Sequence, residues 1–378
     1  VYKRQGSASD AAADTLEISN AELAHITAAT LTIGDTGAGD FNITQDVTVN
    51  STALHIITAG NVQSNGGGII GGNQLAIESG GAVAITDAST DVSTLAVSAV
   101  QDFSIVNATA TTIGTVDGVS GISANNISIT NRNGNLLLNN AITANAGGNI
   151  TIALEGAGAA LVTDTVGENI TSSTGDINIS ASALTLANGI ISSSGNLVLN
   201  TVAADTTIGV GDTATGDFNL DATELALFQD GFSSITLGST VTGNVDIRNV
   251  SFTDQLTVQG ADITLDGVNA AANNVTIDST GFIRGVSNAT VDLTANNITL
   301  TSASGGIGLA NGKLDVSASS ILNADTSASN SAINISSPVD ISLGIINAGT
   351  GTVSLETAGM LIDTGAGAAT ITAGTLNL

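Results

Sequence analysis

The side chains able to do acid–base, nucleophilic or metal chemistry are few in this 378-residue sequence, and their spacing brings none of them together. Its histidines are His25 and His55. His55 is the middle residue of Leu54-His-Ile56, so on a strand it points away from the apolar face and is expected in solvent, not as a ligand or base. No Ser–His–Asp arrangement follows from spacing. Apart from Lys3 and Arg4 at the N-terminal end, the cations are Arg132, Arg248, Arg284 and Lys313, isolated along the chain. Enzymes that act on acidic polysaccharides group carboxylates with Arg or Lys on one face. The sequence offers no such group, and few aromatics to stack on sugar rings, so a polysaccharide-acting enzyme is the weakest reading. No catalytic residue is expected.

Carboxylates are more plentiful. Asp35 and Asp40 flank a Gly-rich loop, Asp212 and Asp217 recur in its echo, and Asp87 and Asp91 form another close pair. Oxygen-rich turns can bind calcium. The Gly-Gly-x-Gly-x-Asp nonapeptide of calcium-binding rolls and the EF-hand loop are both absent, however. The expectation is that Asp and Asn make turn hydrogen bonds, with no metal and no cofactor. A flat Thr-x-Thr array for ice binding is missing too, because outward Thr alternates irregularly with Ser, Asn, Ala and Asp. The Asn-x-Ser/Thr sequences arise where Asn enters a strand and are not read as glycosylation sites.

The elements that carry these residues are short. The recurrent unit is apolar–polar–apolar, as in Leu16-Glu-Ile18, Leu31-Thr-Ile33, Phe41-Asn-Ile43, Val47-Thr-Val49, Leu75-Ala-Ile77 and Val83-Ala-Ile85. It returns in Ile177-Asn-Ile179, Leu184-Thr-Leu186, Leu225-Ala-Leu227, Ile235-Thr-Leu237, Leu256-Thr-Val258 and Ile263-Thr-Leu265. Val291-Asp-Leu293, Ile298-Thr-Leu300, Ile333-Asn-Ile335, Ile341-Ser-Leu343 and Val353-Ser-Leu355 continue it. Period-two alternation puts both apolar residues of a triplet on one face of a strand. No helical stripe is visible.

A longer period overlies the triplets. Gly-Asn or Gly-Asp precedes a strand at Gly134, Gly148, Gly175, Gly195, Gly216 and Gly243, mostly about 20 to 27 residues apart, the size of one coil of a three-sided β-helix. Gly and Asn are expected to supply positive φ at each corner. The stretch Thr32 to Ile43 also matches Thr207 to Leu220, allowing a two-residue insertion, and Gly134 to Asn139 matches Gly195 to Asn200. Repetition with loose insertions suits a solenoid, in which each coil meets only its neighbours. The fold class is thus all-β, a three-sided parallel β-helix over residues 6–378. At about 4.8 Å per coil, some fifteen to eighteen coils would span on the order of 70–85 Å. Asn at equivalent positions is expected to stack along the axis. An array of β-sandwiches would need longer strands and buried aromatics.

Composition agrees. Hydrophobic residues make up 42% but aromatics only 2%, so the core is aliphatic and thin. The formal charge of −27, from 33 acidic and 6 basic residues, repels nucleic acid and anionic lipid, and no apolar run is long enough to span a membrane. The absence of cysteine removes disulfides and is compatible with export in an unfolded state. Residues 1–5 hold the only Tyr with Lys3 and Arg4, and match a transposon mosaic end read in frame. They are read as an appended scar, the alternative being a basic tail, and both chain ends read as truncated.

In segments such as Gly175-Asp-Ile-Asn-Ile-Ser180, Asn296-Asn-Ile-Thr-Leu-Thr-Ser-Ala-Ser-Gly-Gly-Ile-Gly308 and Thr350-Gly-Thr-Val-Ser-Leu-Glu-Thr357, the chain resembles filamentous-haemagglutinin-like large exoproteins and autotransporter passengers. The resemblance covers nearly the whole chain after residue 10 and rests on composition more than on specific motifs. It implies a right-handed β-helix exported through an outer-membrane translocator and displayed at the bacterial surface for adhesion. Host-cell, glycan or neighbouring-cell ligands would be its partners. No functional residue carries over. A calcium-dependent matrix or S-layer-like component is the runner-up.

Overall fold

The computed structural model describes residues 16–286, 290–309, 312–363 and 370–378; the five residues read as a scar lie outside them. Nearly every strand is parallel to its neighbours, and the strands wind as stacked coils of a β-solenoid. The described residues form two compact units, one running to Ser173 with Leu186–Ile190, the other made of Thr174–Thr185 and Ile191–Leu378.

In the first unit each full coil contributes a strand to three faces. Thr30–Gly34, Phe41–Ile43 and Val47–Thr48 make one coil; Ala53–Thr58, Val62–Ser64 and Ile69–Ile70 make the next. On the second face Phe41 registers with Val62, then Val83, Phe103, Ile127 and Ile150 in successive coils. That column is the core. Its members from Val62 onward are almost wholly excluded from solvent, and each such side chain contributes roughly 1.5–3 kcal/mol by burial. In the second unit Ile177, Leu197, Ile235, Leu256, Val275, Ile298 and Leu322 form the same kind of column. Val245, Ile263 and Ile283 line another face, and Val268, Leu293 and Val316 the third. Most steps are near 20 residues. The exception is the step from Leu197 to Ile235, which carries an insertion.

Most of the apolar triplets are strands, and three are not. Leu16-Glu-Ile18 lies ahead of the first strand with Leu16 exposed. Leu225 ends a one-turn helix, Ala222–Leu225, whose N-cap Asp221 accepts the Glu224 amide, so local capping overrides the alternation. Around Val291-Asp-Leu293 the strand begins only at Leu293, and Asp292 is buried with no exposed surface.

The corner glycines also differ from expectation. Gly134 has positive φ, but Gly148, with φ −69°, does not, nor do Gly195, Gly216 and Gly243. They are glycines because the coil beneath approaches too closely for a side chain. A Cβ on Gly148 would lie 2.1 Å from the Asn125 carbonyl oxygen, and one on Gly195 2.5 Å from that of Gly175. The Asn or Asp beside such a corner links one coil to the next. Asn61 donates its amide to Asp40 Oδ1 at 2.8 Å, and Ala82 donates to Asn61 Oδ1 at 2.9 Å. Asp102, Asn126 and Asn149 repeat the pattern, as do Asp176 and Asn196 in the second unit. The expected Asn columns therefore exist, and they run both through backbone amides and directly between side chains, as where Asn297 Nδ2 donates to Asn274 Oδ1 at 2.8 Å. Gly148→Ala is expected to destabilise the protein by about 2 kcal/mol or more, although its φ suits any residue. A lowered urea midpoint would show it; an unchanged one would mean the stacked backbones can part freely.

Candidate functional site

In the second unit the structure gathers polar side chains around a cleft of about 480 Å³. Its floor is one outward column across three parallel strands. Asp246 on Val245–Arg248 registers with Thr264 on Ile263–Asp266, which registers with Arg284 on Ile283–Gly285. Arg248 and Asn244 flank the column. Two of the cations that look isolated in sequence thus line one cleft. The reason is the coil length: residues 18 or 20 positions apart become lateral neighbours when each turn of the chain is about that long.

One wall comes from the inserted coil. The strand Ile208–Val210 runs beside Val245–Arg248, and the chain then loops through residues 211–217 to a short strand, Phe218–Leu220, that pairs with Ile208–Val210 itself. The loop folds onto the outward face at Gly209, the position in register with Asp246. A Cβ on Gly209 would lie 2.9 Å from Gly216 N and 2.2 Å from Asn219 Oδ1. Glycine there lets Thr215 and Asp217 close the end of the cleft. Thr215 donates its amide to Asp246 Oδ2 at 3.1 Å, and Asp217 accepts from the Thr207 hydroxyl at 2.9 Å.

The two guanidinium groups differ. Arg248 donates Nε to both oxygens of buried Asp246, at 2.8 and 3.0 Å, and this hydrogen bonding pushes its pKa above the usual value, against the opposing effect of burial. Arg284 donates Nε to the Thr264 hydroxyl at 3.2 Å and has no carboxylate partner among the described residues. The cleft therefore holds one compensated and one uncompensated cation beside the carboxylate of Asp217. Such an arrangement can orient a small polar ligand by its acidic group and its hydroxyls.

His55 departs most from expectation. It is 4% exposed, although it sits on the outward side of its strand. The hairpin Thr115–Val116 and Val119–Ser120, an antiparallel strand pair, folds over that side. Val116 and Val119 pack on outward Ala53, Ala76 and Ala96. The turn residues Asp117 and Gly118 have φ of 46° and 87°, the geometry of a tight hairpin turn, so Asp117-Gly118 was the available sequence signal. His55 Nδ1 lies 2.8 Å from Asp117 Oδ2, and Nε2 lies 3.2 Å from Glu78 Oε1 without hydrogen-bond alignment. The imidazole pins the hairpin tip. Val116→Asp is expected to detach the hairpin at a local cost of about 2–3 kcal/mol. Amide exchange of residues 115–120 and chemical modification of His55 should both accelerate, while the strands beneath keep their protection; retained protection over 115–120 would refute this.

The other residues singled out in the sequence stay apart. His25 and Arg132 are exposed. Lys313 pairs with Glu356, and that hydrogen bond and charge hold Glu356 below the usual carboxylate range. The six paired aspartates make turn or inter-strand hydrogen bonds: Asp35 accepts from Gly37 N, Asp87 from Ser89 N, Asp212 from Ala222 N and Asp91 from Thr109, besides the contacts of Asp40 and Asp217 above.

These features define a parallel β-solenoid with a polar cleft on one face of its second unit. Comparison with protein-family models, curated proteins and solved structures finds no match to this chain.

Proposed function

We propose that this chain is a stalk or passenger segment of a large secreted bacterial surface adhesin, with a structural and binding role and no catalysis. The observation that supports this best is the coil-to-coil use of the polar residues. Asp40, Asn61, Asp102 and Asn126 each hold a backbone amide of the following coil, so polar groups that a compact enzyme would leave for chemistry here reinforce the stack. The charge of −27 keeps a sheet-rich surface soluble and discourages lateral association. The family resemblance adds an outer-membrane translocator as the export partner and places the segment at the cell surface. Host-cell, glycan or neighbouring-cell ligands would then be what it meets.

The test is direct. Antibodies raised against residues 6–378 should label intact cells of the source bacterium, protease treatment of whole cells should remove the label, and the complete open reading frame should encode an export module. Labelling that appears only after lysis, or a reading frame with no export module, would overturn the proposal.

A further inference from the structure

The cleft over Asp246, Thr264 and Arg284 is more specific than a stalk requires. From its geometry we infer that it is a binding site for a carboxylated sugar unit, a uronic-type residue whose carboxylate meets Arg284. The inference goes beyond surface display and does not rest on it.

Three observations carry it. First, Arg284 has no carboxylate partner among the described residues of a chain of net charge −27; it is bonded to Thr264 and lines a concave space. A guanidinium fork presents parallel N–H donors that match a carboxylate, whereas neutral sugars offer it only single hydroxyls. Second, the rest of the lining suits hydroxyls: Asp217 and Asn244 provide acceptors and an amide donor, and Thr215 a hydroxyl. Third, the cleft is built. Gly209 stands in the register column in which the next three coils carry Asp246, Thr264 and Arg284, and its missing Cβ admits the loop that forms the wall. The volume of about 480 Å³ accommodates one or two sugar rings. A long polyanion is disfavoured by the charge of the surrounding surface, so a terminal or isolated acidic residue is the expected ligand.

The experiment titrates the whole chain with glucuronate and galacturonate, with glucose and galactose, and with acetate and inorganic phosphate, following ligand signals and the Arg284 side chain by NMR. At least one uronate should bind saturably, and the neutral sugars and simple anions should bind about tenfold more weakly or not at all. Arg284→Gln should weaken uronate binding about tenfold or more. Arg132→Gln, which removes an exposed arginine elsewhere, should leave it unchanged. Gly209→Val, which crowds the loop, should also abolish binding, with matched urea midpoints confirming that Arg284→Gln remains folded. Absence of uronate binding, equal binding of neutral sugars, equal binding of phosphate or acetate, or an Arg284→Gln protein that binds like the parent would each overturn the inference. None of these results bears on whether the chain is displayed at a cell surface, which the labelling experiment decides.

Discussion

Asn107→Ala is expected to destabilise the first unit by roughly 4 kcal/mol, because the Asn107 amide does the work of a missing strand partner at a corner. The side chain has no exposed surface. Its Oδ1 accepts the Val92 amide at 2.8 Å, and its Nδ2 donates within reach of the Val92 carbonyl at 3.2 Å, the Thr109 carbonyl at 3.0 Å and Thr111 Oγ1 at 2.7 Å. Thr111 in turn donates to Asn131 Oδ1 at 3.1 Å, one coil on, and Asn131 donates to the Asn135 carbonyl. Truncation orphans a buried backbone N–H and two acceptors at once, each costing about 1–3 kcal/mol, and leaves a void too small to hydrate well. Asn131→Ala removes fewer bonds and should cost about half as much. Native-state hydrogen exchange at the Val92 amide is the measurement. A protection factor unchanged by Asn107→Ala would show that the corner is held by strand packing alone.

The second large effect concerns pH. Burial raises the Asp292 carboxyl to about 7. The backbone amide of Asp315 opposes the rise, the carboxylates of Asp315 and Asp266 add to it, and Oδ1 has no partner among the described residues. In the unfolded chain the same group ionises near its ordinary value of 3.8. Between these values the folded state binds the extra proton, so stability is fully present below about pH 4 and is lost as pH rises towards and through 7. Across that window the loss is on the order of 4 kcal/mol. Asp292→Asn should remove the dependence: its urea midpoint should match the parent at pH 4 and exceed it at pH 8. If the two proteins keep a constant difference across that range, Asp292 does not titrate as its surroundings require. Substitution of Gly285 would act on the same group, since a Cβ there would lie 1.9 Å from Asp292 Oδ2.

The solenoid was legible because its signal is local and repeated. Pairs such as Ile127 and Ile129 face one way wherever they occur, and strands this short can bury that face only against the coil above and below. The echoed stretches show the limit. Thr32 to Ile43 and Thr207 to Leu220 share a glycine at positive φ, Gly34 at 91° and Gly211 at 106°. In the first copy the strands Thr30–Gly34 and Phe41–Ile43 lie on successive faces, and Phe41 pairs with Val62 of the next coil. In the second, Phe218–Leu220 returns to pair with Ile208–Val210. Similar residues close the same turn, while the ladder available to the second strand differs. The corner glycines were visible too, but their reason was not, because the crowding atom belongs to another coil.

The amino-acid order alone set the strand class, the inward residues, the approximate coil length and the acidic surface, since each depends on neighbours close in the chain or on composition. Folding decided which outward residues meet. Asp246, Thr264 and Arg284 share a column, and His55 lies beneath Val116 and Val119, only because coils of unequal length settle into one register. Outward positions carry no apolar alternation to announce that register; backbone hydrogen bonds between successive coils impose it.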